Sequence, residues 1–344
     1  MSWLESEISE QPAALARLLE RQGDRAREIA GALCEDAVDY ILVASRGSSS
    51  SAARYAQYLL GRAQRVPVMF ATPSLYTIYE QPPRLDGALV LGISQSGASP
   101  DVAAVLAEAR RQRRPTIAIT NDADSPLARA AEAVLLLEAG AERAVAATKT
   151  YVNSLGAIAL LFAVLDEGSA RAELERMPAV LERQIALSFA TMPRLDQYAD
   201  GTGATVVARG VNYGTAHEVA LKIRELSGLV VEAYSPADLM HGPVAAIWPG
   251  WPVVAIAPTG PAQASVEEVI PALEERGARV LAISDARGLL DRVDTPLPLV
   301  PGVPEWLSPF VAVVPGQVAA LQLAQLRGVD VDSPLGLQKV TLTR

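Results

Sequence analysis

The order of apolar and polar positions divides the chain into alternating helices and strands. From Pro12 to Cys34, Leu15, Leu18, Leu19 and Ile29 recur at helical spacing and predict an amphipathic helical segment. Beyond it, short apolar runs bounded by turn residues predict strands over 39–45, 66–71, 87–93, 115–120 and 133–137. Helical patterns lie between them, one running from Asp101 to Arg111. A βαβαβ order implies a parallel sheet with right-handed crossovers.

The pattern then returns. Val43-Ala44-Ser45-Arg46-Gly47 is echoed by Val207-Ala208-Arg209-Gly210, and Ile93-Ser94-Gln95-Ser96-Gly97 by Ile256-Ala257-Pro258-Thr259-Gly260. At nearly the same offset, Ile117-Ala118-Ile119-Thr120-Asn121-Asp122 matches Leu281-Ala282-Ile283-Ser284-Asp285. Such echoes predict two copies of one α/β unit. The expected fold class is α/β, with two tandem doubly wound parallel sheets, each a flavodoxin-like αβα sandwich. The expected divisions are a helical segment over 1–36, a first unit over 37–170, a helical connection over 171–199, a second unit over 200–334 and a tail over 335–344.

Two loops of the first unit carry candidate chemistry. Gly92-Ile93-Ser94-Gln95-Ser96-Gly97-Ala98-Ser99 joins an apolar strand to a helix and crowds hydroxyls and an amide at that junction. Gly47-Ser48-Ser49-Ser50-Ser51 does the same after Tyr40-Ile41-Leu42-Val43-Ala44. A helix N-terminus offers unpaired N–H groups and partial positive charge, and serine side chains add donors, so the pair reads as a phosphate cradle. One such loop alone would read equally as a serine-rich turn. In the second copy, Ala257-Pro258-Thr259 replaces Ser94-Gln95-Ser96 with loss of donors, and phosphate binding is expected only in the first.

Composition narrows the partners. A chain of 344 residues, half hydrophobic and one fifth charged, is long enough for two compact domains. A net charge of -9 argues against nucleic acid and against anionic membranes, while a cradle of N–H and hydroxyl groups needs no lysine excess. Cys34 is the one cysteine, which excludes an internal disulfide and fits a reducing, cytoplasmic compartment. The start Met1-Ser2-Trp3-Leu4-Glu5-Ser6-Glu7 lacks the basic-then-apolar order of a signal peptide. The apolar run Leu155 to Leu165 is too short to span a bilayer. His217 and His241 are the only histidines, so no multi-histidine metal centre forms, and neither metal nor cofactor is expected.

In the second half, Lys222 and Glu225 fall three apart in a helical pattern, hence on one face; that spacing also suits a solvated surface couple. His241 lies between Pro236 and Gly242-Pro243, which predicts a loop. Lys339, taken alone, reads as a solubilising tail residue.

Six ordered segments carry a resemblance. They are Arg46-Gly47-Ser48-Ser49, Ser94-Gln95-Ser96-Gly97, Gly140 to Lys149, Glu218 to Glu225, Leu239-Met240-His241-Gly242-Pro243 and Gly336-Leu337-Gln338-Lys339-Val340-Thr341. Through them the chain resembles the sugar isomerase (SIS) family over nearly its full length. It looks like the isomerase half of glucosamine-6-phosphate synthase and the stand-alone type II glucosamine-6-phosphate deaminases. The resemblance implies that Ser49, Ser94, Gln95, Ser96 and Ser99 bind a sugar phosphate, and that Val145 touches the sugar. It implies that Glu225 moves a proton between C1 and C2 and that Lys222 assists at the carbonyl end. His241 would open the sugar ring from the neighbouring subunit of a homodimer, and Lys339 would form a Schiff base with the keto sugar. These residue types suit the work. A carboxylate near a cation can act as base, a histidine titrates near neutrality, and a shielded lysine can condense with a carbonyl.

Some positions depart from the synthase pattern. Ser2 stands where the synthase has a nucleophilic cysteine, so ammonia release from glutamine by that route is not expected. Ala98 and Ala147 replace an acidic residue and a serine, which points towards the deaminase group. The expected reaction converts glucosamine 6-phosphate to fructose 6-phosphate and ammonia. Another amino-sugar or fructosamine phosphate as substrate, and a non-catalytic sugar-phosphate sensor, are the alternatives.

Overall fold

The structure, a computed structural model, describes residues 1–35, 38–166, 168–334, 336, 338 and 339, with 32–35 described by backbone alone. The chain forms two compact units, and neither is continuous in sequence. The first-sheet unit comprises Glu10–Glu142, Lys149–Pro178 and residues 338–339 of the tail. The second-sheet unit comprises Met1–Ser9, Arg143–Thr148 and residues 179–334.

In the first-sheet unit, β1 (Tyr40–Ser45), β2 (Val68–Phe70), β3 (Ala88–Ile93), β4 (Thr116–Thr120) and β5 (Ala133–Leu136) form a parallel sheet of order β2-β1-β3-β4-β5. Each strand lies within the interval its apolar run predicts. Register places Tyr40 against Ala88 and Ser45 against Ile93, so β1 and β3 end level. Strand alternation sends Leu42, Ala44, Val90 and Ala118 to one face, where Val102 and Leu106 of the Pro100–Arg111 helix cover them. Ile41, Leu89, Leu91 and Ile117 face the other way, towards Leu60 of the Gly47–Gln64 helix and Leu161 of the Lys149–Leu165 helix. With both faces covered, near-continuous apolar strands are what burial requires.

In the second-sheet unit, β6 (Gly203–Ala208), β7 (Val230–Tyr234), β8 (Pro252–Ile256), β9 (Arg279–Ser284) and β10 (Thr295–Pro298) are also all parallel. Their order, β7-β6-β8-β9-β10, repeats that of the first sheet. The echoed segments fall on equivalent elements: the ends of β1 and β6, the ends of β3 and β8, and strands β4 and β9. The Tyr213–Ser227 and Ser308–Leu326 helices pack against each other in this unit. The stretch Glu305–Leu326 is long and apolar enough to cross a membrane, yet 94% of its apolar 18-residue window is buried inside the protein. Its all-round apolarity is that of a core helix enclosed by its neighbours.

Contact between these two helices is set by Gly316, where an added Cβ would lie 2.4 Å from Val219 Cγ2. Gly316→Ala should therefore lower stability by about 1–3 kcal/mol through overpacking. Gly288, exposed in a short helix of the same unit, has nothing within 4 Å of an added Cβ. Gly288→Ala should instead raise stability by about 0.4–1 kcal/mol. Urea midpoints of the two variants check this; a Gly316→Ala midpoint at or above the parent's would refute the tight contact.

Candidate functional site

At the end of β1, Arg46 is extended (φ -138, ψ 160) and Gly47 turns into an 18-residue helix with φ +51. At the end of β3, Ser94 to Ser99 form a turn, and Pro100 opens a 12-residue helix. The sheet order reverses between these strands, which is where an open α/β sheet leaves a crevice outside its carboxyl ends. Ser49, in the first turn of the Gly47–Gln64 helix, and the Ser94–Ser99 turn therefore stand beside that crevice, each at or next to a helix N-terminus. Ser49 and Ser94 are buried; Gln95, Ser96 and Ser99 are half-buried.

The turn is braced from within. Gly97 N–H donates to the Ser94 carbonyl and to Ser94 Oγ, both at 3.2 Å, and Ala98 N–H donates to Ser96 Oγ at 3.3 Å. The Gln95 carbonyl accepts from Asn121 N–H at 3.0 Å and from Thr120 Oγ1 at 3.3 Å. Gly97 has φ +59, and a Cβ there would fall 2.1 Å from Ser125 Oγ, so only glycine fits. Arg46 spans the two loops: its Nε and Nη2 donate to Asp101 Oδ2 at 2.8 and 2.7 Å. Asp101 is buried and Arg46 is half exposed, so the carboxylate anchors the guanidinium at the crevice.

The equivalent crevice of the second sheet lies between the ends of β6 and β8 and is lined by Arg209, Asn212, Pro258 and Glu305. Its loop N–H at Ala262 donates to Glu305 Oε1 at 2.9 Å. The chain's own carboxylate thus takes the place where an anion would lie.

The second-sheet unit holds the ionisable candidates. Lys222 is buried on the Tyr213–Ser227 helix with its Nζ 2.5 Å from Glu225 Oε2 and 3.6 Å from Glu218 Oε1. A solvated surface couple is ruled out by this burial. Glu218 escaped the sequence reading; its signal is the i, i+4, i+7 spacing of Glu218, Lys222 and Glu225 along one helix face. His241 is exposed and ends the short helix Pro236–Met240, whose first turn Ser235 caps. The predicted loop is thus a five-residue helix with a glycine at φ +143 after its histidine cap.

Val145 is half-buried in segment 143–148 of the same unit. Glu7 secures that segment, its carboxylate accepting Arg143 N–H at 2.5 Å and Ala144 N–H at 3.2 Å. Lys339 belongs to the first-sheet unit, where its Nζ lies 2.6 Å from Glu142 Oε2. Leu335, Leu337 and Val340 of the tail lie outside the described residues. Among the described residues, no three or more His, Cys, Asp and Glu side chains are grouped to hold a metal ion.

Comparison with known proteins places the chain by family and fold. The SIS domain profile matches residues 37–164 and 202–289. A curated relative, glutamine–fructose-6-phosphate aminotransferase [isomerizing] of Thermus thermophilus, is 34% identical over 350 residues. That match covers 97% of this chain and 57% of the relative, so the chain spans little more than half the relative's length. The C-terminal domain of glucosamine-fructose-6-phosphate aminotransferase from Francisella tularensis superposes with a TM-score of 0.84 at 26% identity. That superposition covers 97% of this chain and 98% of the domain. Glucosamine-6-phosphate deaminase from Thermotoga maritima shares the fold, with a TM-score of 0.80 at 22% identity over 99% of this chain and 100% of that one.

Phosphate affinity should depend on the hydroxyls of the Ser94–Ser99 turn. Ser94→Ala or Ser96→Ala each removes a donor to a charged acceptor, at a loss of about 1.5–3 kcal/mol. Inorganic phosphate should bind about ten- to a hundredfold more weakly to each variant by calorimetry, with melting temperatures near the parent's. Parental affinity in both variants would place the anion elsewhere.

Proposed function

The chain belongs to the SIS-domain family, and from that premise we propose that it is a phosphosugar isomerase that deaminates a hexosamine phosphate. The reaction is glucosamine 6-phosphate plus water to fructose 6-phosphate plus ammonia. The observation that carries this reading is the Glu218–Lys222–Glu225 row, with Glu218 and Lys222 buried and Glu225 half-buried. A buried cation between two carboxylates is costly to fold around and serves proton transfer at a carbonyl carbon well.

Ser49, Ser94, Gln95, Ser96 and Ser99 hold the sugar phosphate through neutral donors and two helix N-termini, and Val145 touches the sugar. His241 of the partner subunit opens the ring in a homodimer. Glu225 takes the proton from C2 of the open aldehyde and returns it at C1, while Lys222 donates to the carbonyl oxygen. The product is a ketose imine at C2. Its nitrogen leaves as ammonia when Lys339 takes its place as a Schiff base, and water then frees the ketose. A protein of this kind works in the cytoplasm. Measuring ammonia release over a panel of hexosamine 6-phosphates tests the reading and identifies the epimer; no release from any of them would refute the deaminase.

Turnover should fall by a factor on the order of 10²–10⁴ in Glu225→Gln, because the shape remains and the base is gone. Substrate binding should change little. Near-parental exchange of the C2 proton with solvent would remove Glu225 from this role.

Two inactive variants should rescue each other. If each site uses His241 from the other subunit, a hybrid of His241→Ala and Glu225→Gln chains carries one doubly defective and one intact site. Mixing should therefore restore part of the activity once subunits exchange. Absence of recovery after exchange is verified by mass spectrometry would place His241 outside its partner's site.

A further inference from the structure

Glu142 belongs to neither the cradle nor the Lys222 row, yet it touches the tail lysine. Its side chain is fully buried, against 23% exposure for the Lys339 side chain. Thr150, in the first turn of the Lys149–Leu165 helix, donates to the same carboxylate twice, from N–H at 3.1 Å and from Oγ at 2.7 Å. Lys339 Nζ also donates to it, at 2.6 Å, closer than either Thr150 contact. The neighbouring Lys149 is matched to another carboxylate, Glu10, also at 2.6 Å.

A helix cap alone does not require a lysine drawn in from a position 197 residues away in sequence. A lysine that must react with a carbonyl does require a place to leave its proton. The Glu142 carboxylate, in contact with the ammonium, is such a place.

We propose that Glu142 is the proton partner of Lys339, an inference that rests on the Schiff-base role given to Lys339 above. At rest Glu142 holds the ammonium. When the C2 carbonyl of the ketose arrives, an N–H bond of Lys339 breaks and an O–H bond forms on Glu142. The freed lone pair makes the N–C2 bond while the carbonyl π pair moves to oxygen. A second nitrogen proton passes to that oxygen and gives the carbinolamine. Glu142 then returns its proton to the C2 hydroxyl, the C–O bond breaks, water leaves, and the iminium forms with Glu142 ionised again. Charge and atoms balance without a further reagent.

The test is the rate at which cyanoborohydride and fructose 6-phosphate label Lys339 in the full chain, read by peptide mass spectrometry from pH 6 to pH 9. The parent should label at neutral pH with a shallow pH dependence. Glu142→Gln, which still accepts from Thr150, should label at least about tenfold more slowly at pH 7. Its deficit should close towards pH 9, where hydroxide replaces the carboxylate. Glu142→Asp keeps the acid and should fall between the two; it carries the comparison should the Gln variant fail to fold. Thr150→Val removes a contact of the cap and leaves the ion pair, and it should label like the parent.

Equal labelling of Glu142→Gln and parent at pH 7 would overturn the inference, as would a deficit of one size at every pH. A Thr150→Val variant as slow as Glu142→Gln would also overturn it, since the cap would then be what matters. These outcomes leave the Schiff-base reading intact. A parent that never labels Lys339 overturns both.

Discussion

Between β1 and β3 the first sheet reverses its order of travel, so two strands that pair in register end side by side at an uncovered crevice. The Arg46–Asp101 pair, the glycine at 97 and the braces on Gln95 all serve to set the loops at that crevice. None of them needs an external cation. The donors there are hydroxyls, an amide and backbone N–H groups at two helix N-termini, so the anion site proposed at this crevice needs no lysine excess in a protein of net charge -9.

Buried charge marks the positions where folding alone has little to gain. Lys222, Glu218, Glu142, Glu7 and Asp101 are all removed from water, and a well-packed apolar residue would often be at least as stable in such places. Glu7 holds backbone, receiving the N–H groups of Arg143 and Ala144. Asp101 anchors the Arg46 guanidinium, and the others also meet a second ionisable side chain. Lys222 faces Glu225 and Glu218, and Glu142 faces Lys339. A carboxylate in direct contact with a lysine is an arrangement suited to passing a proton between them.

The strands were legible because both faces of each sheet are covered, which leaves compact apolar runs such as Ala88-Leu89-Val90-Leu91 between turn residues. The strand-to-helix junctions of the proposed phosphate cradle were legible because strand, serine cluster and helix follow one another directly. Lys222 and Glu225 were visible as a pair, but their burial was not; spacing of three is the same on a wet face and a dry one. Glu7 and Glu142 left no local signal. Their partners lie 136 and 197 residues away, and an isolated glutamate in an acidic sequence is unremarked until the chain closes. The same long-range closure separates Met1–Ser9 and Arg143–Thr148 from their sequence neighbours and joins them to the second-sheet unit.

The two sheets share one strand order, yet their crevices have parted chemically. In the first, Ser94, Gln95 and Ser96 keep donors directed at the switch point. In the second, Pro258 removes a backbone N–H, Ala257 removes a hydroxyl, and Glu305 brings a carboxylate to the N–H of Ala262. The half-buried Ala262 N–H needs an acceptor, and Glu305 supplies it from within the chain. A carboxylate held there repels a second anion, so fewer donors and an internal acceptor both act in the direction expected for a unit that leaves the phosphate to the other crevice.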